Sequence, residues 1–196
     1  MKKLFDYFTI SIFDGNGIES VSKAIEHIYK NDMNKFNVYI SKLIAENYFN
    51  PPSGGAHFPQ FCIWSNKKYP QKTFLISNYQ DGLSSLCNVI HRHVKGNHIL
   101  CSISNENSLE YPKYHFHYSN AEFEERDVVA YKEDRWVFYD RGVPLPIENL
   151  DFYKNRFIKK RLNAEIIEEY LLKLGIYLWD IDSNVEECIV YKRYIW

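Results

Sequence analysis

The residues best placed to do chemistry are His115-Phe116-His117, two imidazoles separated by one residue. On a β-strand, side chains at i and i+2 share a face, so both rings can reach one ion. Glu122 lies five residues on and completes a His-x-His-x4-Glu spacing. A metal-dependent enzyme or metal-binding module built on His115, His117 and Glu122 is therefore one reading of the chain. The opposing reading is an edge strand with two solvated histidines, because a histidine pair holds a metal well only when a third donor converges on it. No third ligand stands at convincing spacing, so neither a resident metal nor another cofactor is expected.

Two weaker constellations follow. In His91-Arg92-His93 the histidines would sit on a helix, where positions two apart point about 200° apart and cannot chelate together. His91 lies one turn from Cys87, and a thiol beside a base can act as a nucleophile. Yet Cys87 falls on an apolar stripe, where a buried thiol is inert. Gly15-Asn16-Gly17-Ile18-Glu19-Ser20 occupies the strand-to-helix position of a phosphate loop but lacks the third glycine and the acidic strand end that reads a ribose. It reads as a plain turn. With no Walker loop, Cys-x-x-Cys pair or Gly-x-Ser-x-Gly elbow in the chain, catalysis is not expected.

The elements that would carry these residues follow from periodicity. Phe5 to Phe13 reads as a strand. Val21, Ala24, Ile25 and Ile28 fall on one helical stripe. Asp32 is placed to cap a second helix with Phe36, Tyr39, Ile40, Leu43 and Ile44 inward, ended by Asn50-Pro51-Pro52-Ser53-Gly54-Gly55. Strands at Phe61 to Trp64 and Thr73 to Ser77 precede a helix started by Asp81, with Leu83, Leu86, Cys87, Ile90 and Val94 on its apolar face and Gly96 as its left-handed end. Ile99 to Ile103 returns as a strand, and Asn105 to Pro112 reads as a loop. Tyr114 to Tyr118, Val128 to Lys132 and Arg135 to Tyr139 alternate as antiparallel strands, the last two joined at Glu133-Asp134. A basic helix near Phe152 to Arg161, a helix from Asn163 to Gly175, and strands at Ile176 to Ile181 and Cys188 to Tyr194 complete the reading. The expected fold class is α+β: one domain over residues 1–196, a mixed or mostly antiparallel sheet, and paired helices.

The chain of 196 residues carries a formal net charge of −1, which argues against nucleic acid as a partner. No apolar run approaches the roughly 18 residues of a membrane span, and Asp6 and Asp14 interrupt the apolar N-terminal stretch, so a cytoplasmic location is expected and no membrane association. Sixteen Tyr, 13 Phe and 4 Trp form an aromatic surplus that suits strand packing and also suits a contact surface for another protein. From Glu122 to Asp151 there are 9 acidic and 4 basic residues, whereas Lys154 to Arg161 holds five basic residues and no acid. The basic run reads as a solvated face with Phe157 and Ile158 turned inward. The acidic stretch, with Tyr131, Trp136, Phe138 and Tyr139 among its charges, has the character of a binder of a basic protein cleft.

At Trp136-Val137-Phe138-Tyr139-Asp140-Arg141-Gly142-Val143-Pro144-Leu145-Pro146-Ile147-Glu148, and in the charged segment Tyr153 to Arg161 and the Tyr170 to Gly175 ending, the chain resembles small immunity proteins of bacterial polymorphic toxin systems, of the Rhs or contact-dependent type. The resemblance implies a cytosolic, non-enzymatic protein that binds one cognate toxin domain, often by occluding its active site. On that reading Glu122, Glu124, Glu125, Asp127, Tyr131, Asp134, Trp136, Tyr139 and Asp140 form the partner-binding face, and the partner is the toxin domain. The four cysteines are scattered, three of them inside apolar runs, and are expected to be reduced. Alkylation under denaturing, non-reducing conditions should therefore modify all four by mass spectrometry. Two modified thiols or none would place the protein in an oxidising compartment.

Overall fold

The segment Tyr7–Asp14 carries Phe8, Ile10 and Ile12 on one face and Thr9, Ser11 and Phe13 on the other, and both faces are buried, as in a strand in the middle of a covered sheet. In the computed structural model, which describes residues 6–42, 48, 51–52, 57–105, 110–183, 185 and 188–196, this segment is β1, and its six interior residues are all buried. Eight further strands complete one open sheet: β2 (Phe36–Ser41), β3 (Gln60–Asn66), β4 (Tyr69–Ser77), β5 (Asn97–Ser104), β6 (Lys113–Ser119), β7 (Glu125–Lys132), β8 (Trp136–Arg141) and β9 (Cys188–Arg193). Their spatial order is β2-β9-β3-β4-β1-β5-β6-β7-β8, and every neighbouring pair is antiparallel. With three α-helices among the described residues the protein is a single-domain α+β fold, as the sequence pattern indicates.

The two faces are covered differently. Helices α1 (Ile18–Ile28) and α2 (Ser84–Val94) lie side by side on one face, burying Val21, Ile25, Cys87 and Ile90 against Phe13, Phe61, Ile63, Leu75 and Tyr191. Helix α3 (Ala164–Lys173) packs Ile166, Ile167, Tyr170 and Leu171 on the other face, over Ile10, Ile99, Cys101, Phe116 and Val128. Asn163 caps α3 by accepting from the Ile166 amide at 2.9 Å. Gly175, at φ +76°, ends it with bonds from its own amide to the Leu172 carbonyl and from the Ile176 amide to the Leu171 carbonyl.

Three expected elements are corrected. Phe36, Tyr39 and Ile40 belong to strand β2, which pairs with β9 from Phe36↔Arg193 to Ser41↔Cys188. The spacing that suggested a helix loses to this tertiary pairing, and the helical pairing of α1 is made in space with α2. Leu43 and Ile44 lie outside the described residues, as do Ser53, Gly54 and Gly55. The basic segment forms two short 3-10 turns, Phe152–Lys154 and Ile158–Lys160, and Phe157 is exposed. Ile176 to Ile181 is a 3-10 turn at Leu178–Asp180 instead of a strand. Its carbonyls serve side chains of β3: Trp64 Nε1 donates to the Ile181 oxygen at 2.8 Å, and Asn66 Nδ2 to the Asp180 oxygen at 2.9 Å.

After β8 the chain turns back under the α3 side and is fixed there by a buried ion pair. Arg126, 2% exposed, donates from Nη2 to Glu148 Oε2 at 2.7 Å and from Nε to Oε1 at 2.9 Å. The Tyr153 hydroxyl donates to Glu148 Oε2 at 2.6 Å, and the Leu145 amide to Oε1 at 2.8 Å. Burial alone would raise the Glu148 carboxyl, but these bonds, Arg126 first, hold it below its ordinary value. Removing one member of such a pair strands a buried charge. Glu148→Ala should cost about 3–5 kcal/mol of stability. Equilibrium urea unfolding would check this, and a loss under about 1 kcal/mol would show that the pair does not anchor the segment.

Candidate functional site

The β6–β7 hairpin brings the expected histidines to a partner the sequence reading missed. Its tip is set by Asn120, whose Oδ1 accepts from the amides of Glu122 and Glu124 at 3.0 and 2.9 Å, with Phe123 in the left-handed region at φ +65°. Counting back from that tip, Ser119 faces Glu125 and His117 faces Asp127. Asp127 Oδ1 accepts from His117 Nδ1 at 2.8 Å and from His115 Nε2 at 3.1 Å. Asp127 Oδ2 accepts from Arg141 Nη2 on β8 at 3.0 Å. Glu122 is exposed at the tip and takes no part in the cluster, and β6 is an interior strand, not an edge. Glu122 is thus replaced by Asp127 as the third group beside the histidine pair.

Burial and charge set the character of this cluster. Burial would raise the Asp127 carboxyl, yet the bonds from His115 and His117 overcome it and hold the group well below the usual carboxylate range. Burial pushes His115 below its ordinary value, against the opposing pull of Asp127. Next to the cluster stands His98 on β5, fully buried, stacked on Phe13 at 5.1 Å with its ring 5.8 Å from that of His117. Its Nε2 shares a 3.1 Å hydrogen bond with the Ser11 hydroxyl. Burial, with His117 and His91 adding to it, lowers its pKa from 6.5 to about 3.

The remaining candidates have structural roles. Cys87 is buried, donates to the Gly82 carbonyl, and has its thiol pushed up to about 12 by burial, which rules out a thiolate at neutral pH. His91 is buried and bonded to the Gly96 carbonyl at 3.0 Å, while His93 points outward to the Val89 carbonyl. At the α1 entry the amides of Gly15 and Asn16 both donate to the Gln71 carbonyl, and Asn16 Nδ2 bonds Lys95 oxygen at 2.6 Å. These groups are spent on the turn itself.

The nine expected contact residues do not share one face. Glu125, Asp127, Tyr131 and Tyr139 lie on the side of the sheet that carries the histidines, where β6 to β8 extend beyond α1 and α2. Trp136 and Asp140 alternate to the α3 side: Trp136 stacks on Tyr114 at 6.2 Å, and Asp140 pairs with Arg126 at 3.4 Å. Glu122 and Glu124 lie at one end of β7 and Asp134 at the other, about 25 Å apart along an eight-residue strand. Comparison with protein-family models, curated proteins and solved structures finds no match to the chain. Among the described residues no helix is long and apolar enough to cross a membrane.

Because His98 takes up a proton more readily in the unfolded chain than in the folded one, stability should fall as pH drops from 6.5 toward 3. By about pH 4.5 this group should cost roughly 2–3 kcal/mol. His98→Phe keeps a ring against Phe13 and cannot be protonated. Melting curves from neutrality to about pH 4.5 should show a smaller acid loss in the variant than in the parent. Equal losses in the two proteins would mean that His98 does not govern acid sensitivity.

Proposed function

We propose that this chain is a non-enzymatic immunity protein that binds and neutralises a cognate bacterial toxin domain, occluding its active site. The observation that carries the reading is the uneven cover of the sheet. On the histidine side, α1 and α2 pack over β3, β4 and β5, and among the described residues α2 reaches the β6–β7 hairpin at its tip, where His91 meets Phe123 at 5.1 Å, without a comparable packing over β6 to β8. That surface presents Tyr139, 52% exposed, beside the charged pair Arg141–Glu125 at 2.9 Å, with Tyr131 and Val137 partly buried and Val129 buried around it. A ring among charged groups, above a rigid sheet, suits an anchor for a protein partner. The resemblance across Trp136 to Glu148 supports the same reading, since its first six residues are β8 itself. The contact face is accordingly narrowed to Glu122, Glu124, Glu125, Tyr131 and Tyr139. Asp127 serves the histidines, Trp136 and Asp140 serve the opposite face, and Asp134 stands in the β7–β8 turn at the far end of the strand.

Charge reversal at Glu124 and Glu125 should slow association with the toxin domain while leaving the fold intact, because exposed charges contribute little stability. Tyr139→Ala should cost about 2 kcal/mol of binding if the ring is an anchor. The measurement is growth rescue by each variant during expression of the toxin domain encoded beside it, with a thermal melt of each purified protein. Undiminished rescue by both folded variants would move the contact elsewhere. Failure of the unaltered chain to rescue or to bind would sink the proposed function.

A further inference from the structure

Among the described residues one group of metal-ligating side chains converges: His115, His117 and Asp127, whose ligand atoms all lie within 4.8 Å of one another. In a tetrahedral site with bonds of about 2.0–2.2 Å, neighbouring ligand atoms stand about 3.3–3.5 Å apart. The two His–Asp separations, 3.1 and 2.8 Å, fall about 0.3 and about 0.6 Å short of that value. Side-chain adjustments of that size would admit an ion without moving the strands. Both histidines ride on β6, and Asp127 sits directly across the ladder from His117, so the backbone positions are held by the sheet. The side chains of His115, His117 and Asp127 are 21%, 12% and 15% exposed, shielded from bulk water yet within reach of it.

We infer that His115, His117 and Asp127 form a three-ligand site for a divalent transition-metal ion, with zinc the best match, whose fourth coordination position is left for water. Two imidazoles and one carboxylate suit zinc and its neighbours, whereas calcium and magnesium take oxygen ligands throughout. Proton placement is consistent with this. A carboxylate only accepts, so in the metal-free cluster His115 Nε2 and His117 Nδ1 carry the hydrogens. On binding, each neutral ring offers that nitrogen's lone pair to the ion and carries its hydrogen on its other nitrogen, His115 Nδ1 and His117 Nε2. Arg141 occupies only the outer oxygen, Asp127 Oδ2, and leaves Oδ1 for the ion. The inference stands on this geometry and is independent of toxin binding.

The test uses the full chain without a histidine tag, stripped with a chelator and titrated near neutral pH with Zn2+ by calorimetry and with Co2+ in the visible range. One ion per chain is expected, with the absorption of tetrahedral cobalt and a melting temperature that rises on adding Zn2+. His117→Gln and Asp127→Asn should each weaken binding by about 100-fold or more and abolish the thermal shift. Glu122→Gln should change nothing. Neither should the double variant His27→Ala, His93→Ala, which removes the exposed pair whose rings stand 5.2 Å apart across α1 and α2. Melts without metal establish that each variant is folded. Should Asp127→Asn fail to fold, His115→Gln leaves the Asp127–Arg141 pair in place and carries the same comparison. No binding by the folded parent would overturn the site. So would equal affinity in His117→Gln, or binding lost only in the His27, His93 double variant.

Discussion

Strand β7 is held in register from both sides at consecutive residues, and much of the structure around it depends on that. Arg126 points into the α3 side and finds Glu148, whose side chain has no exposed surface, while Asp127 points to the other face and finds His115, His117 and Arg141. A slip of one residue would put a guanidinium among the histidines and a carboxylate in the buried pocket beside Glu148. Each error would strand a charge in an environment built for its opposite. The hairpin tip at Asn120 sets this register locally, and the two charged residues enforce it from either face of the sheet.

The segment after β8 follows from the same pair. Gly142, at φ +90°, crosses so close to β7 that a Cβ there would collide with the Glu125 carbonyl oxygen. Arg126 Nη1 donates to the carbonyls of Arg141 and Gly142 at 3.1 and 3.3 Å, which holds the crossing against the strand. From there Leu145, Ile147, Phe152 and Tyr153 can settle over the α3-side core. The charged pair therefore decides where an apolar segment packs, though burying it costs desolvation that an apolar pair would avoid.

Much of this was legible in the sequence, and the misses have physical causes. The stripes of α1 and α2, the apolar run of β1 and the alternation of β6, β7 and β8 are local signals, and the structure keeps them. Segment 36–41 was ambiguous because Phe36, Tyr39 and Ile40 fit a helix and a strand alike, and its strand partner, β9, lies some 150 residues away in the chain. Ile176 to Ile181 has strand-forming residues, yet its carbonyls are claimed by Trp64 and Asn66, which no periodicity reveals. Asp127 could have been found: pairing outward from the turn at 120–124 places it opposite His117. Likewise, alternation from Tyr139 already sends Trp136 and Asp140 to the other face.

The position of β9 has a consequence in time. It lies between β2 and β3, pairing residues 188–193 with 36–41 on one side and with 60–64 on the other. The hairpins from β5 to β8 join neighbours in the chain and can close as soon as they are made. The opposite half, where β9 joins β2 to β3, cannot be completed until residues 188–193 have been synthesised. During translation β3 must wait with an open edge that carries Phe61, Ile63 and Trp64. The nascent chain is therefore most exposed to mispairing in its first third, long before the strand that protects it has been made.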